Sequence, residues 1–523
     1  MNSAITKNIT IGSRGSDLAL WQAKYTKDLL EKDGYTVVIQ IIKTSGDRIQ
    51  HLSFDKMEGK GFFTKELEDA LLNGEIDLAV HSHKDLPTTN PAGLTIAAVS
   101  YREKCSETLL IRPEALDERE LFKLKQNALL GTSSQRRKSQ IEFFRSDLRT
   151  ADLRGNVPTR IQKLLDKQYD AIVLATAGLE RLNLQPAGLI KFEIPETLFV
   201  PAPAQGVLAF QIRENDTFMQ EALKNLHRHD VQESISVERS VLNRLDGGCQ
   251  LPLGVYCEEF AEGFRAWTSI KPLDGSPYRR FFSSSTESKS LISNILHRID
   301  QTENRSVFIS RDAHQAERFI AQLQNFGFRV FAESPLTTQT IELNQLPFTE
   351  WIFFSSPACV EHFFSQDLIV PALTSVAALG SGTAEALKSY GIIPSFTGAD
   401  GLVEETAKAF LEKAKGQDVF FPIGNDSLRT IQQCIKDEVR IHEEIIYCKS
   451  PKPNFELTAD IAVFTSPAKV EAALKYGNNL PEITVAIGEK TATALKNAGC
   501  QRVLIAPETN MQSLADLVCG ILS

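Results

Sequence analysis

Ile76-Asp77-Leu78-Ala79-Val80-His81-Ser82-His83-Lys84-Asp85-Leu86-Pro87 sets the reading of this chain. A short apolar run passes directly into polar and charged residues. A run that is apolar on both faces is a strand buried between covering helices, and open parallel sheets bind ligands at the C-terminal ends of such strands. Ala128-Leu129-Leu130 and Ala171-Ile172-Val173-Leu174-Ala175 repeat the pattern between amphipathic stretches, so residues 1 to about 215 read as α/β. At the end of the quoted run, Asp85 is suited to stabilise a cation or shuttle a proton. Lys84 is suited to bind a carboxylate or to hold Asp85 ionised. The plainer alternative is a lysine–aspartate pair that merely ends a strand. His81 and His83 read as supporting residues, because no carboxylate or cysteine completes a metal site with them.

Three further segments place polar residues after an apolar run and before a helix. Ile11-Gly12-Ser13-Arg14-Gly15-Ser16 precedes Leu18-Ala19-Leu20-Trp21-Gln22. Leu130-Gly131-Thr132-Ser133-Ser134 precedes Gln135-Arg136-Arg137. Leu153-Arg154-Gly155-Asn156 precedes a helix with Pro158 in its first turn and Arg160 just inside. Unpaired N–H groups and the helix dipole attract anions there, and arginine adds a two-pronged donor for carboxylates. A single such arginine is more often just solvated. Three in one half point to a ligand with several carboxylates or phosphates, and with no Walker loop present a nucleotide is the weaker choice.

The chain has 523 residues, enough for roughly three to five domains. Its 42% hydrophobic and 24% charged content is that of a globular protein. No signal-peptide run and no membrane-length apolar stretch is present, so a cytoplasmic location is expected. A net charge of −9 and a pI near 5.7 argue against nucleic-acid binding. The eight cysteines form no CxxC and no zinc spacing, so free thiols and no metal are expected. Cys249 differs from the others: Gly247-Gly248 strip side-chain bulk from the loop before it. Such a thiol is either an attachment point or a nucleophile.

Residues 230 to 299 form a smaller unit with a helix ending near Leu245, the Cys249 loop, strand-like segments such as Gly263-Phe264-Arg265-Ala266-Trp267, and a last helix. The polar run Asp300 to Arg305 reads as a linker. Beyond it the sequence repeats. Phe353-Phe354-Ser355-Ser356-Pro357-Ala358-Cys359-Val360-Glu361 returns as Val463-Phe464-Thr465-Ser466-Pro467-Ala468-Lys469-Val470-Glu471. Ala378-Leu379-Gly380-Ser381-Gly382-Thr383-Ala384 returns as Ala486-Ile487-Gly488-Glu489-Lys490-Thr491-Ala492. Val307-Phe308-Ile309-Ser310 pairs more loosely with Val419-Phe420-Phe421-Pro422. The second half is therefore two similar α/β lobes, expected to face each other across a cleft.

The motifs of the first half, with Gly59-Lys60-Gly61-Phe62-Phe63-Thr64-Lys65-Glu66-Leu67-Glu68 and the Cys249 loop, resemble hydroxymethylbilane synthase, also called porphobilinogen deaminase, over residues 5 to 300. The resemblance implies two domains like periplasmic binding proteins (1–104 with 200–222, and 105–199) and a small α+β domain (223–300). It implies a dipyrromethane cofactor held by a thioether to Cys249. Four porphobilinogen molecules are then joined head to tail, each losing ammonia. By motif position Asp85 is the catalytic carboxylate. Lys84, Ser133, Arg136, Arg137, Arg154 and Phe63 are implied to hold the cofactor. Arg14, Ser16, Arg160 and Arg181 are implied to bind substrate acetates and propionates. The chain departs from the family at Ala204, where glycine is usual, and at His83, where methionine is common.

The repeated half is similar to uroporphyrinogen-III synthase, with the two Ser-Pro-Ala-x-Val-Glu segments, the two Gly-x-x-Thr-Ala segments and Pro422-Ile423-Gly424-Asn425 as carriers. After a linker at 301–306 the resemblance places one lobe at 307–337 and 455–523 and the other at 338–454. It implies closure of hydroxymethylbilane with inversion of the last ring. Ser356, Thr383, Ser466 and Thr491 are the implied substrate-binding residues, with simple helix capping the alternative for the threonines. Tyr447, in the hinge, is the implied aid to loss of hydroxyl. The expected partners are these small molecules alone, on a monomer without membrane or nucleic acid. A C-terminal repeat that only scaffolds, or a cytoplasmic anion-binding protein, are the alternatives.

Overall fold

The apolar run at 76–80 folds as the strand Leu78–Ser82, in the middle of a five-stranded sheet. The computed structural model of the chain describes residues 8–44, 64–245, 251–399 and 402–522. In that sheet Asn8–Ser13 runs parallel to Thr36–Ile41 on one side and to Leu78–Ser82 on the other. Leu208–Arg213 then pairs antiparallel with both Leu78–Ser82 and Leu94–Val99. A second sheet repeats this plan. Leu129–Gly131 is parallel to Arg149–Ala151 and Ala171–Ala175, and Glu107–Ile111 is antiparallel to Ala171–Ala175 and Ile190–Ile194. Central strands buried on both faces need apolar side chains throughout, which is why Ala171–Ala175 carries no charge. The chain thus leaves the first sheet near residue 100 and returns to it near 207, so two crossing segments join the two sheets.

Three helices start where the sequence placed anion sites, each with a side-chain cap. Ser16 Oγ accepts from Ala19 N, Ser134 Oγ from Arg137 N, and Asn156 Oδ1 from Thr159 N. The third domain is an antiparallel sheet of Leu253–Phe260, Gly263–Ile270 and Arg279–Ser285, packed against the helices His229–Arg244 and Ser288–Asp300.

The chain divides into two compact units. The first holds Met1–Val307, Ala316–Val330 and Ile505–Ser523, and the second holds Phe308–Gln315 and Phe331–Leu504. Of the expected lobe one, 307–337 and 455–523, the segments 316–330 and 505–523 fall in the first unit. They join it because Gln322 and Phe326 of the one and Asp516 of the other pack on Arg280 and Phe281. The run read as a linker is likewise fixed: Glu303 is buried, ion-paired to Arg298 at 3.0 Å and to Arg305 at 2.6 Å.

In the second unit the sequence repeat is a structural repeat. Trp351–Phe354, Pro357–Phe364, Ser375–Ala378 and Ser381–Ser389 match Ile461–Phe464, Pro467–Leu474, Ile483–Ala486 and Glu489–Asn497, element for element. Each pair of strands is parallel. Each repeat begins its first helix with a serine N-cap followed by proline, which suits the first turn because it lacks the N–H that would go unpaired. Asp418–Gly424 runs beside Trp351–Phe354, as Ser310 N donates to Val463 O beside the other copy.

Candidate active sites

Lys84 and Asp85 lie on a single 3-10 turn, His83–Asp85, directly after the strand. Asp85 is exposed and Lys84 half-buried. Arg239, on the helix of the third domain, donates to His83 O, Leu86 O and Pro87 O and so fixes the turn from outside its own domain. Lys84 Nζ donates to Gln205 Oε1 at 3.1 Å, and Gln205 Nε2 donates to Cys105 O at 2.7 Å. Burial lowers the Lys84 ammonium to about 8, against the opposing pull of Asp85. Burial also lowers His81 to about 4 and His83 to about 3, the latter helped by Arg239, so both rings are neutral at pH 7. His81 Nε2 meets Gln211 Oε1 at 3.1 Å, a core contact.

Arg136 and Arg137 are buried and share one carboxylate, Glu107. Arg136 Nη2 reaches Oε1 at 2.5 Å, and Arg137 binds both oxygens, at 3.1 and 2.7 Å. Backbone oxygens of Val200 and Val173 take a further donor from each. Burial alone would raise the Glu107 carboxyl, but Arg137, Arg136 and Lys84 outweigh it and hold it at about 2. Lys84 senses Asp85, Arg137 and Arg136. Arg160, lowered by burial to about 10, senses Arg137, Asp85 and Arg154. Arg14 acts on His81. One electrostatic cluster therefore joins Lys84, Asp85, Arg136, Arg137, Arg154 and Arg160. Its five cations face two carboxylates, Asp85 and Glu107, and the surplus is positive.

Two of the implied polar residues have local partners. Ser133 Oγ donates to Leu153 O and accepts from Leu153 N, both at 3.0 Å, locking the two arginine-bearing loops together. Ser16 caps its helix. Arg181 is placed differently, against Trp21, Tyr25 and Tyr101, with Nη2 on Gly206 O at 2.6 Å. Cys249 and Phe63 lie outside the described residues.

Ala204 has a left-handed φ of 59° and is fully buried. Its N–H donates to Glu238 Oε2 at 2.7 Å, and the same carboxylate accepts from Arg102 and from Cys257 N. That pairing holds the third domain to both crossing segments and fixes a conformation glycine adopts without strain. Gly206 follows at φ +90°, where a Cβ would stand 2.3 Å from Glu103 O.

In the second unit, Tyr447 is buried in the long strand Arg440–Pro451. Gly424 makes its place, since a Cβ there would lie 2.5 Å from the Tyr447 ring. Cys359 Sγ is 3.9 Å from the phenol and 3.2 Å from Ser356 Oγ. Burial pushes the phenol well above its usual range, helped by Cys359 and countered by Ser356. Ser356 Oγ also caps its helix by accepting from Cys359 N, whereas Ser466 makes no side-chain cap. Thr383 and Thr491 are buried in their first helical turns, but the caps are Gly380 and Gly488, neither with a side-chain cap bond, so plain capping is not the threonines' role.

Sequence reasoning missed Glu107, Gln205, Arg239 and Lys469. Lys469 Nζ donates to Ser310 O at 2.6 Å and Thr465 Oγ1 at 3.2 Å. Burial lowers it to about 8, with Arg311 adding to the effect. Its signal was present: it stands where the other repeat has Cys359. A glutamate opening the apolar strand Glu107–Ile111 was a comparable signal.

A two-domain α/β crossover, a cluster with surplus positive charge and a braced carboxylate turn are the features a protein for anionic small molecules needs. The family model "Porphobilinogen deaminase, dipyromethane cofactor binding domain" matches residues 9–221, and "Porphobilinogen deaminase, C-terminal domain" matches 233–262. "Uroporphyrinogen-III synthase HemD" matches 281–516. The porphobilinogen deaminase of Maridesulfovibrio salexigens is 43% identical over 275 residues, covering 52% of this chain and 86% of that one. That of Syntrophomonas wolfei is 44% identical over 274 residues, covering 51% and 87%. The solved uroporphyrinogen-III synthetase of Helicobacter pylori aligns at 18% identity and a TM-score of 0.32, over 41% of this chain and 98% of that one. The chain belongs to the porphobilinogen deaminase family and carries a uroporphyrinogen-III synthase domain fused behind it. It is a bifunctional enzyme of tetrapyrrole biosynthesis. Among the described residues no helix is long and apolar enough to cross a membrane.

Proposed function

We propose that the first unit extends a dipyrromethane bound through Cys249 and that Asp85 carries its chemistry. The supporting observation is the charge cluster. Each pyrrole unit brings an acetate and a propionate, and Lys84 and Arg160 act on the exposed carboxylate of Asp85, with Arg154 acting on Arg160. When bound, the cofactor supplies the pyrrole carbon from which the chain grows. Lys84, held by Gln205, is a donor for a carboxylate at the edge of Asp85. Arg14, Arg154, Arg160 and Arg181 serve further carboxylates, and Phe63 keeps the cofactor-holding role its motif implies. Arg136 and Arg137 reach the ligand's carboxylates while Glu107 keeps them oriented. Ser133 and Ser16 set the loops, and each hydroxyl is available to a carboxylate as well. Asp85 stabilises the cation left when the substrate loses ammonia and accepts the proton released on coupling.

The second unit closes the released hydroxymethylbilane with inversion of its last ring. Tyr447, kept protonated by burial, is the donor to the departing hydroxyl, and Ser356 orients it. Thr383, Ser466 and Thr491 serve carboxylates at helix starts. The chain works as a cytoplasmic monomer.

The intact mass of the purified protein tests the cofactor assignment. A covalent excess of two pyrrole units, absent from Cys249→Ala, is expected. An unmodified wild-type mass with full activity would sink it.

A further inference from the structure

Helix Met511–Gly520 belongs by sequence mostly to the synthase match and in space to the first unit. It lies on Arg279–Ser285, the outer strand of the third domain. Asp516 binds Arg280 through Nε at 2.9 and 3.0 Å and through Nη2 at 2.9 Å, with side-chain exposures of 2% and 1%. The same guanidinium donates to Leu198 O at 2.7 Å and to Thr197 O, on the segment leaving the second domain. Gln322 Nε2 closes the network on Arg280 O and Asp516 Oδ1, both at 2.8 Å. Leu517 packs into the cluster of Cys105, Val200, Tyr256, Trp267 and Phe282, which draws on the crossing segments and the third domain alike. Gly520 sits so close that a Cβ would meet Phe282 O at 1.7 Å. Arg298, also fully buried, donates to Cys519 O.

A buried guanidinium is tolerated when a carboxylate meets it, and removing the carboxylate strands the charge. Here the carboxylate for Arg280 comes from seven residues before the chain's end, on a helix far away in sequence.

We infer that residues 505–523 are a working part of the deaminase, a brace that seats the third domain against the crossing segment at Thr197–Val200. Hydroxymethylbilane formation thus depends on the C-terminal helix, and the two activities do not separate by a cut at 301–306. The activity readout rests on the deaminase reading above, whereas the exchange readout below does not.

The test uses the full chain with Asp516→Asn, which removes the charge at nearly constant bulk, or Leu517→Ala, which removes the apolar contact. Hydrogen exchange in Arg279–Ser285 is expected to quicken about tenfold or more. Ammonia release from porphobilinogen should fall with it, while cyclisation of supplied hydroxymethylbilane stays within about twofold. Unchanged protection of Arg279–Ser285 in both variants overturns the brace, as does loss of cyclisation alone. If wild type releases no ammonia, the deaminase reading fails, and exchange still decides the brace. If one variant does not fold, the other is read by the same criteria.

Discussion

On the proposed reading, the two units meet the same kind of ligand, a polycarboxylate, with opposite materials. The first uses charge: Lys84, four arginines and two carboxylates in one connected set. In that reading the second relies on hydroxyls at helix starts and a protonated phenol, with the half-buried Lys469 beside Ser310. Charge-assisted hydrogen bonds are about twice as strong as neutral ones. A site that grips a growing chain through several additions gains from strong contacts. A site that closes one substrate and lets it go is served by weaker ones. The repeat inside the second unit sharpens the contrast, because equal scaffolds place Cys359 beside Tyr447 in one copy and Lys469 on Ser310 in the other.

The contrast breaks most visibly at Asp85. Asp85→Ala should slow hydroxymethylbilane formation about a thousandfold and leave cyclisation of supplied hydroxymethylbilane unchanged, as separate assays of each reaction will show. Next is Glu107→Gln, which leaves Arg136 and Arg137 without their carboxylate. It should destabilise the first unit by about 3–5 kcal/mol, read by urea unfolding, with the second unit unaffected.

Acid should act on the same feature. The Glu107 carboxyl is depressed from 4.5 to about 2, so its contribution is present above pH 4.5 and lost as pH falls towards 2. The amount is about 3 kcal/mol. His81 and His83, lowered from 6.5 to about 4 and 3, add a loss that begins as pH falls below 6.5, because only the unfolded chain takes up those protons. Acid unfolding followed separately for the two units should show the first failing earlier.

Smaller effects are expected in the second unit. Tyr447→Phe and Lys469→Met should each lower cyclisation by about ten- to a hundredfold without touching ammonia release. Smallest is Ala204→Gly, which relieves a left-handed backbone and should stabilise the first unit by about 1 kcal/mol, measured by thermal unfolding. No gain there would mean that the Glu238 contact already offsets the strain.

The strand ends and the three helix starts were legible because periodicity and a capping residue lie within a few residues of one another, and the internal repeat because its two copies match segment by segment. Pairing was not. That Arg136 and Arg137 face Glu107 depends on how strands separated by helices are ordered in a sheet, and no spacing encodes it. Gln205 and Arg239 reach the Asp85 turn from distant segments for the same reason. The placement of residues 505–523 beside Arg280 was the least accessible, since the polar run at 300–305 looks solvated until Arg298 and Arg305 are seen closing on Glu303.

One chain holds two activities in series. The direct measurement is to incubate the purified full-length protein with porphobilinogen alone and resolve the uroporphyrinogen isomers formed. Isomer III, the ring-inverted product, should predominate, and it should give way to the uninverted isomer I when Tyr447→Phe and Lys469→Met are combined. Isomer I alone from the wild-type chain would contradict it.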